Sequence, residues 1–201
     1  MAKSGNERKR VVIIAGPNGA GKSTVAQSIL RGTPGVRHFV NADAIARGLS
    51  EYNSEEMAIP AGKIMLSRLR ELAGRQENFA FETTLASRTF APWIRTLLDQ
   101  GYSFHLLFIW LPTVQMAIQR VQKRVEGGGH GIPTLTIERR YQRGIANFFE
   151  LYHPIANNWR VYNNAEPQGP RLIASGGHNR RIRIYEANQW RDFSSGVCGC
   201  G

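Results

Sequence analysis

The most constraining stretch of this chain is Gly16-Pro17-Asn18-Gly19-Ala20-Gly21-Lys22-Ser23, followed by Thr24. It fills every fixed position of the pattern G-x-x-x-x-G-K-[ST]. A β-branched run, Val11–Ala15, precedes it, and helix-compatible residues follow from Lys22 to about Leu30, where Gly32 and Pro34 end the pattern. A buried strand, a tight turn and a helix are therefore expected in that order. Glycines let backbone N–H groups turn inward on phosphate oxygens where a Cβ would clash, and the helix N-terminus adds partial positive charge. Such a loop holds a nucleoside triphosphate. Lys22 is placed to reach the β- and γ-phosphates, Ser23 to hold Mg²⁺ and Thr24 to touch the α-phosphate.

The rest of the chain alternates short apolar runs with helical patterns. His38–Val40 reads as a second strand that carries Asn41-Ala42-Asp43 at its end, and Phe79-Ala80-Phe81 as a third that runs into Glu82-Thr83-Thr84. Ala61, Ile64, Met65, Leu69 and Leu72 recur at helical spacing between them, with Pro60 at the start. Ala91–Gln100 is predicted as helix and Tyr102–Leu111 as the longest strand. Thr113 is an expected N-cap for a helix reaching Val125. Gly127–Pro133 must be loop, and a helix over about Leu135–Phe149 follows. Arg160–Asn163 reads as a fifth strand; Arg171–Ala174 and Arg181–Tyr185 flank Gly176-Gly177, which suggests a terminal hairpin or an appended pair of edge strands. Strands separated by helices imply right-handed crossovers and a mainly parallel sheet with helices on both faces. The expectation is a three-layer α/β fold: a basic leader (1–10), one domain (11–193) with a small C-terminal β appendage (about 160–187), and a tail (194–201).

Residue types narrow the chemistry. Asp occurs only as Asp43, Asp99 and Asp192, so the apolar strand ending in Asp-Glu that motor and ABC ATPases use is missing. Leu106–Leu111 ends in Pro112 instead, and no Asn-Lys-x-Asp base reader of a GTPase occurs. Ser175–His178 is read as a turn. What remains favours a kinase. Asp43 and Glu82 fall at strand ends, and a parallel sheet gathers those ends along one crevice, beside the phosphate loop. One carboxylate can accept a proton from an attacking hydroxyl while the other orients Mg²⁺ or holds substrate; capping of the following helix is the competing role for each.

Lys and Arg total 26 against 15 acidic residues, a net charge of +11 carried mostly by arginine. Anionic ligands follow from that charge. Arg120, Lys123 and Arg124 precede the glycine loop, and Arg139, Arg140 and Arg143 follow it, each set on one helical face. A helix–loop–helix rimmed by arginines fits a lid (about 120–143) that closes over nucleotide and excludes water. His130 is a weaker phosphate candidate. Arginines also interleave with aromatics around Arg139–Tyr152 and Arg181–Trp190, a pattern shared by nucleic-acid faces and by ordinary helix cores; for Tyr141, Phe148 and Phe149 the core is preferred. Cys198 and Cys200 cannot close a zinc site by themselves. The longest apolar run, Leu106–Leu111, is far short of the ~18 residues of a membrane span, so a cytoplasmic protein is expected.

In order, the phosphate loop, Asn41-Ala42-Asp43, Phe81-Glu82-Thr83-Thr84-Leu85, Arg120-Val121-x-x-Arg124-Val125, Gly128-Gly129-His130-x-Ile132-Pro133 and Arg139-Arg140-Tyr141 resemble the zeta-toxin-like P-loop kinases over about residues 11–165. The resemblance implies ATP and Mg²⁺ as cofactors and phosphorylation of a hydroxyl on a nucleotide-activated sugar such as UDP-N-acetylglucosamine. By position it makes Asp43 the general base, puts Glu82 and Thr84 in the substrate and metal region with Ser23, and gives Arg120, Arg124 and Arg140 to the phosphate-binding lid. It also raises an antitoxin protein as a partner. A nucleoside or polynucleotide kinase, and a nucleotide-dependent nucleic-acid-binding ATPase, are the alternatives.

Overall fold

The P-loop strand lies at the centre of the sheet. In the computed structural model, which describes residues 8–31, 35–50 and 56–196, seven strands run in the order β2-β3-β1-β4-β5-β6-β7. These are β1 (Arg10–Ala15), β2 (His38–Val40), β3 (Phe79–Thr83), β4 (Ser103–Trp110), β5 (Asn158–Asn163), β6 (Arg171–Gly177) and β7 (Arg180–Ile184). β1 to β5 pair in parallel, and β6 and β7 add antiparallel. The helices are α1 (Lys22–Arg31), α2 (Ala42–Leu49), α3 (Ala58–Gly74), α4 (Phe90–Asp99), α5 (Val114–Glu126), α6 (Thr134–Asn147) and α7 (Ala187–Ser195). No described helix is long and apolar enough to cross a membrane.

Alternation along the buried strands creates two cores. Val11, Ile13, Phe79, Phe81, Phe104, Leu106 and Phe108 point to one face, where α3, α4 and α7 cover them. Val12, Ile14, Ala80, Leu107 and Ile109 point to the other, under α1, α5 and α6. Parallel strands buried on both faces read as continuous apolar runs, as β1 and β4 do. Phe148, Trp159, Trp190 and Phe193 form an aromatic cluster in the first core, with Trp159 and Trp190 stacked at 5.7 Å. Phe148 is fully buried while Tyr141 and Phe149 pack against the core, as expected of helix-spaced aromatics.

Several boundaries differ from the sequence expectation, each for a local reason. Asn41 and Asp43 do not prolong β2. The Asn41 side chain accepts N–H bonds from Asp43 (2.8 Å) and Ala44 (3.2 Å), so it caps α2 and puts Asp43 in that helix's first turn. α3 begins two residues before Pro60, which sits in its first turn, where a missing N–H costs nothing. Beyond α6 the chain tightens into a π-turn (Phe148–Tyr152) and a 3₁₀ turn (His153–Ile155) instead of one straight helix.

The hairpin turns at His178-Asn179, not at Gly176-Gly177, which belong to β6. Those glycines answer a packing need: a Cβ on Gly176 would lie 2.5 Å from the Trp159 ring, and one on Gly177 2.1 Å from the Asn157 carbonyl. β6 and β7 also extend the main sheet, with Ile173 and Ala174 fully buried. Ser194 and Ser195, expected in the tail, close α7, while Gly32, Pro34, Cys198 and Cys200 lie outside the described residues.

The loop after β3 is shaped from a distance. Leu85 has φ +61°, in the left-handed region that disfavours L side chains. The buried Asn147 amide donates to the Leu85 carbonyl at 2.7 Å, the Tyr152 hydroxyl donates to that of Ser87 at 3.0 Å, and Thr83 Oγ1 accepts from the Leu85 N–H at 3.1 Å. Burial pushes the Tyr152 phenol above its usual range, so it stays a protonated donor. Asn147→Ala leaves a buried carbonyl without its partner and is expected to cost about 1–3 kcal/mol in urea unfolding.

Candidate active site

β1 ends in Gly16, whose φ of +143° and missing Cβ are both required: a Cβ would lie 2.1 Å from the Ile109 carbonyl on β4. The loop then curls back on itself. The Ala20 N–H bonds to the Pro17 carbonyl (3.2 Å), and the Asn164 amide, just past β5, donates to the Ala20 carbonyl (2.8 Å). Lys22 opens α1. Its ammonium donates to the Pro17 carbonyl at 2.9 Å and lies 3.7 Å from Glu82 Oε1.

Glu82 is the hub of the polar cluster. Its Oε2 accepts from the Ser23 hydroxyl and from Asn41 Nδ2, both at 2.8 Å, and Asn41 Nδ2 is also 3.3 Å from Ser23 Oγ. The ends of β2 and β3 and the start of α1 thus converge on one carboxylate, along the carboxyl edge of a parallel sheet. Burial drives the Lys22 pKa below the usual lysine value; Glu82 and Asp43 oppose that shift, while the Arg124 charge reinforces it.

A cavity of about 290 Å³ opens beside this cluster. Asn18, Lys22, Asp43, Glu82 and Arg140 line it together with Thr84, so charged candidates from four separate elements meet in one space. Arg140 Nη1 comes within 3.5 Å of Asn18 Oδ1. Burial lowers its pKa from the ordinary arginine value and Asp43 counteracts this, which leaves a guanidinium that stays charged. Arg140 reaches the cavity because α6 presses on the β3 end: a Cβ on Gly144, one turn further along, would sit 2.5 Å from the Thr84 carbonyl. Met65 and Leu66 of α3, with Ser87, Thr89 and Phe90, complete the lining with an apolar floor and hydroxyl groups.

The other predicted arginines lie outside this lining. Arg120 packs beside Gly19 and donates to the Ala165 carbonyl at 3.0 Å; Arg124 donates to the His130 carbonyl at 2.7 Å. Arg139 and Arg143 are exposed on α6, and Lys123 is exposed on α5. Thr24 lies on the exposed side of α1. Two contributors went unassigned in the sequence. Asn41 was visible only as part of Asn-x-Asp, without its bond to Glu82. Asn164, 144 positions from Ala20, carries no local signal at all.

The donors fit Mg²⁺. Among the described residues no group of three or more His, Cys, Asp or Glu is placed to hold a metal, so a closed protein cage is not on offer. Ser23 Oγ and the Glu82 carboxylate supply two hard oxygens side by side. Mg²⁺ is commonly bound by one or two such groups and completes its octahedron with phosphate and water.

A glycine cradle on the central strand, with acidic and basic side chains gathered at the neighbouring strand ends, defines a P-loop, kinase-like fold. The model of the AAA domain family AAA_33 matches residues 11–151, and the chain belongs to that family. An uncharacterized protein of Haemophilus influenzae is 25% identical over 134 residues, covering 67% of this chain and 94% of that one. The AvrRxo1-ORF1:AvrRxo1-ORF2 complex with ATP is similar in structure, with a TM-score of 0.75 and 16% identity over 96% of this chain. This chain spans only 66% of the length of that one. The PezAT toxin–antitoxin system of Streptococcus pneumoniae (TM-score 0.59, 14% identity, 98% and 88% coverage) and a gluconokinase from Sinorhizobium meliloti (0.51, 16%, 95% and 92%) share the fold.

Replacing Glu82 by Gln removes the anion beside Lys22 and exchanges one of its two carboxylate oxygens for a neutral amide nitrogen that cannot bind a cation. Calorimetric titration with nucleotide is expected to show the Mg²⁺-dependent gain in affinity fall by about ten-fold or more, while binding in EDTA holds or strengthens.

Proposed function

We propose that this chain is an ATP-dependent kinase that transfers the γ-phosphate to a hydroxyl of a small substrate, with a nucleotide sugar of the UDP-N-acetylglucosamine type as the favoured acceptor. The observation that carries the reading is the shared cavity: Asp43 faces the same space as Lys22, Glu82 and Arg140, beside hydroxyl-bearing and apolar walls that suit an acceptor ring. The acceptor oxygen attacks the γ-phosphorus in line, the Asp43 carboxylate takes its proton, and ADP leaves. Lys22 and Arg140 neutralise charge on the transferring group. Ser23 and Glu82 would hold Mg²⁺, which would supply further neutralisation of phosphate charge. Arg120 and Arg124 act from the flanks in this scheme, and Gly16–Thr24 hold the nucleotide. The toxin–antitoxin and gluconokinase likenesses support a phosphotransferase and leave the acceptor open between a sugar nucleotide and a nucleoside or oligonucleotide. The likeness to the PezAT toxin–antitoxin system supports an antitoxin-type protein as a partner, and that to the AvrRxo1-ORF1:-ORF2 complex supports a protein partner more generally.

The test is Asp43→Asn with labelled ATP and a panel holding UDP-N-acetylglucosamine, gluconate, nucleosides and 5′-hydroxyl oligonucleotides. Turnover of the accepted substrate is expected to drop by about 10²- to 10⁴-fold while nucleotide affinity stays near the parent value. Unchanged turnover would remove Asp43 from the reaction, and the accepted member of the panel names the acceptor class.

A further inference from the structure

A second charged surface lies on β5, β6 and β7, which β1 and β4 separate from the β2 and β3 side of the sheet. The core under α1, α5 and α6 extends to Leu107 and Tyr162; among the described residues no member of β6 or β7 belongs to it. The same face of the sheet therefore continues past Tyr162 of β5, across β6 and β7, without apolar packing among the described residues. Sheet register shows what stands on it. Arg160 on β5 is opposite Ser175 on β6, which is opposite Arg183 on β7, so the three side chains share one row of that face. One row away, His105 is opposite Asn158, whose Oδ1 accepts from Arg180 Nη1 at 2.8 Å. Tyr185 is half exposed and bonded to Ser175 through their hydroxyls at 3.3 Å, which holds its ring beside Arg183.

Burial pulls the His105 pKa down, and the cationic charges of Arg10, Arg160 and Arg180 add to that shift. Arg8 and Lys9, also exposed, enter the fold at the start of β4, where the Lys9 carbonyl accepts from Ser103. Here the Arg–aromatic interleaving of 181–185 sits on an open, flat surface, unlike the buried aromatics of α6 and the π-turn.

We propose that this face of β5–β7, with Arg160, Arg180, Arg183 and Tyr185, binds single-stranded nucleic acid, the arginines gripping phosphates and Tyr185 stacking on a base. A flat sheet with a fixed aromatic ring and forked cations suits a strand whose bases are unstacked from partners, whereas a duplex keeps its bases out of reach of such a ring. The catalytic cavity plays no part in this binding, so the surface stands or falls independently of the kinase reading.

The experiment is fluorescence anisotropy of the full chain with a labelled single strand of about 20 nucleotides, the matched duplex, and heparin as a polyanion without bases, from about 50 to 200 mM salt. Arg160→Gln with Arg183→Gln is expected to weaken single-strand binding by at least about ten-fold and to make the log–log salt slope shallower by about 1.4, at 0.7 per lost phosphate contact. Tyr185→Ala is expected to weaken the single strand by about ten-fold and to leave heparin unchanged. Melting temperature and nucleotide affinity of all variants serve as folding controls and should match the parent. The proposal is overturned by an absence of salt-dependent binding, or by affinity that the arginine pair does not move. Equal binding of heparin and single strand with no effect of Tyr185→Ala also overturns it, and points to an acidic protein surface as the occupant.

Discussion

The polar half of this fold is organised around the Glu82 carboxylate. It lies at the end of β3, takes hydrogen bonds from the first turn of α1 and from the cap of α2, and stands within 4 Å of the Lys22 ammonium. Without a negative charge at that point, the buried Lys22 ammonium would keep only the Pro17 carbonyl, and the buried Asn41 amide only its 3.3 Å contact with Ser23 Oγ. The same carboxylate fixes where β2 ends, because Asn41 uses its oxygen to start α2 and its amide to reach Glu82. Asp43 then enters the cavity as a consequence of that cap.

A second constraint is the close approach of α6. Gly144 lets the helix lie against the Thr84 carbonyl, and Asn147 and Tyr152 further along bond to the loop that follows. One stretch of chain, from Arg140 to Tyr152, thereby places a guanidinium against the phosphate loop and shapes the opposite wall of the cavity. The phosphate-loop side of the cavity and its opposite wall are mechanically joined through it.

Much of this could be read from the sequence, for physical reasons that also explain the rest. The phosphate loop and the parallel strands were legible because glycine spacing and apolar runs are local signals. Asp43 and Glu82 were legible because strand ends in such a sheet share an edge. α2 was not: it is only eight residues long, and the capping role of Asn41 shows only once its bonds to Asp43, Ala44 and Glu82 are in place. Gly176-Gly177 looked like a turn because glycine pairs usually turn, whereas here they make room for Trp159 and the Asn157 carbonyl. α7 carried no clear local signal, since Trp190 and Phe193 gain their meaning from a core assembled elsewhere. Arg120 and Arg140 are alike in sequence. Only packing separates the one bonded to the Ala165 carbonyl from the one in the cavity.

The left-handed backbone at Leu85 has an implication for how such a protein diversifies. The contour of the wall built by residues 84–89 is written largely outside those residues, in an amide and a phenol more than sixty positions downstream. A swapped-in loop of equal length would arrive without its struts. New cavity contours in this architecture should therefore evolve by paired change, loop and helix drifting together.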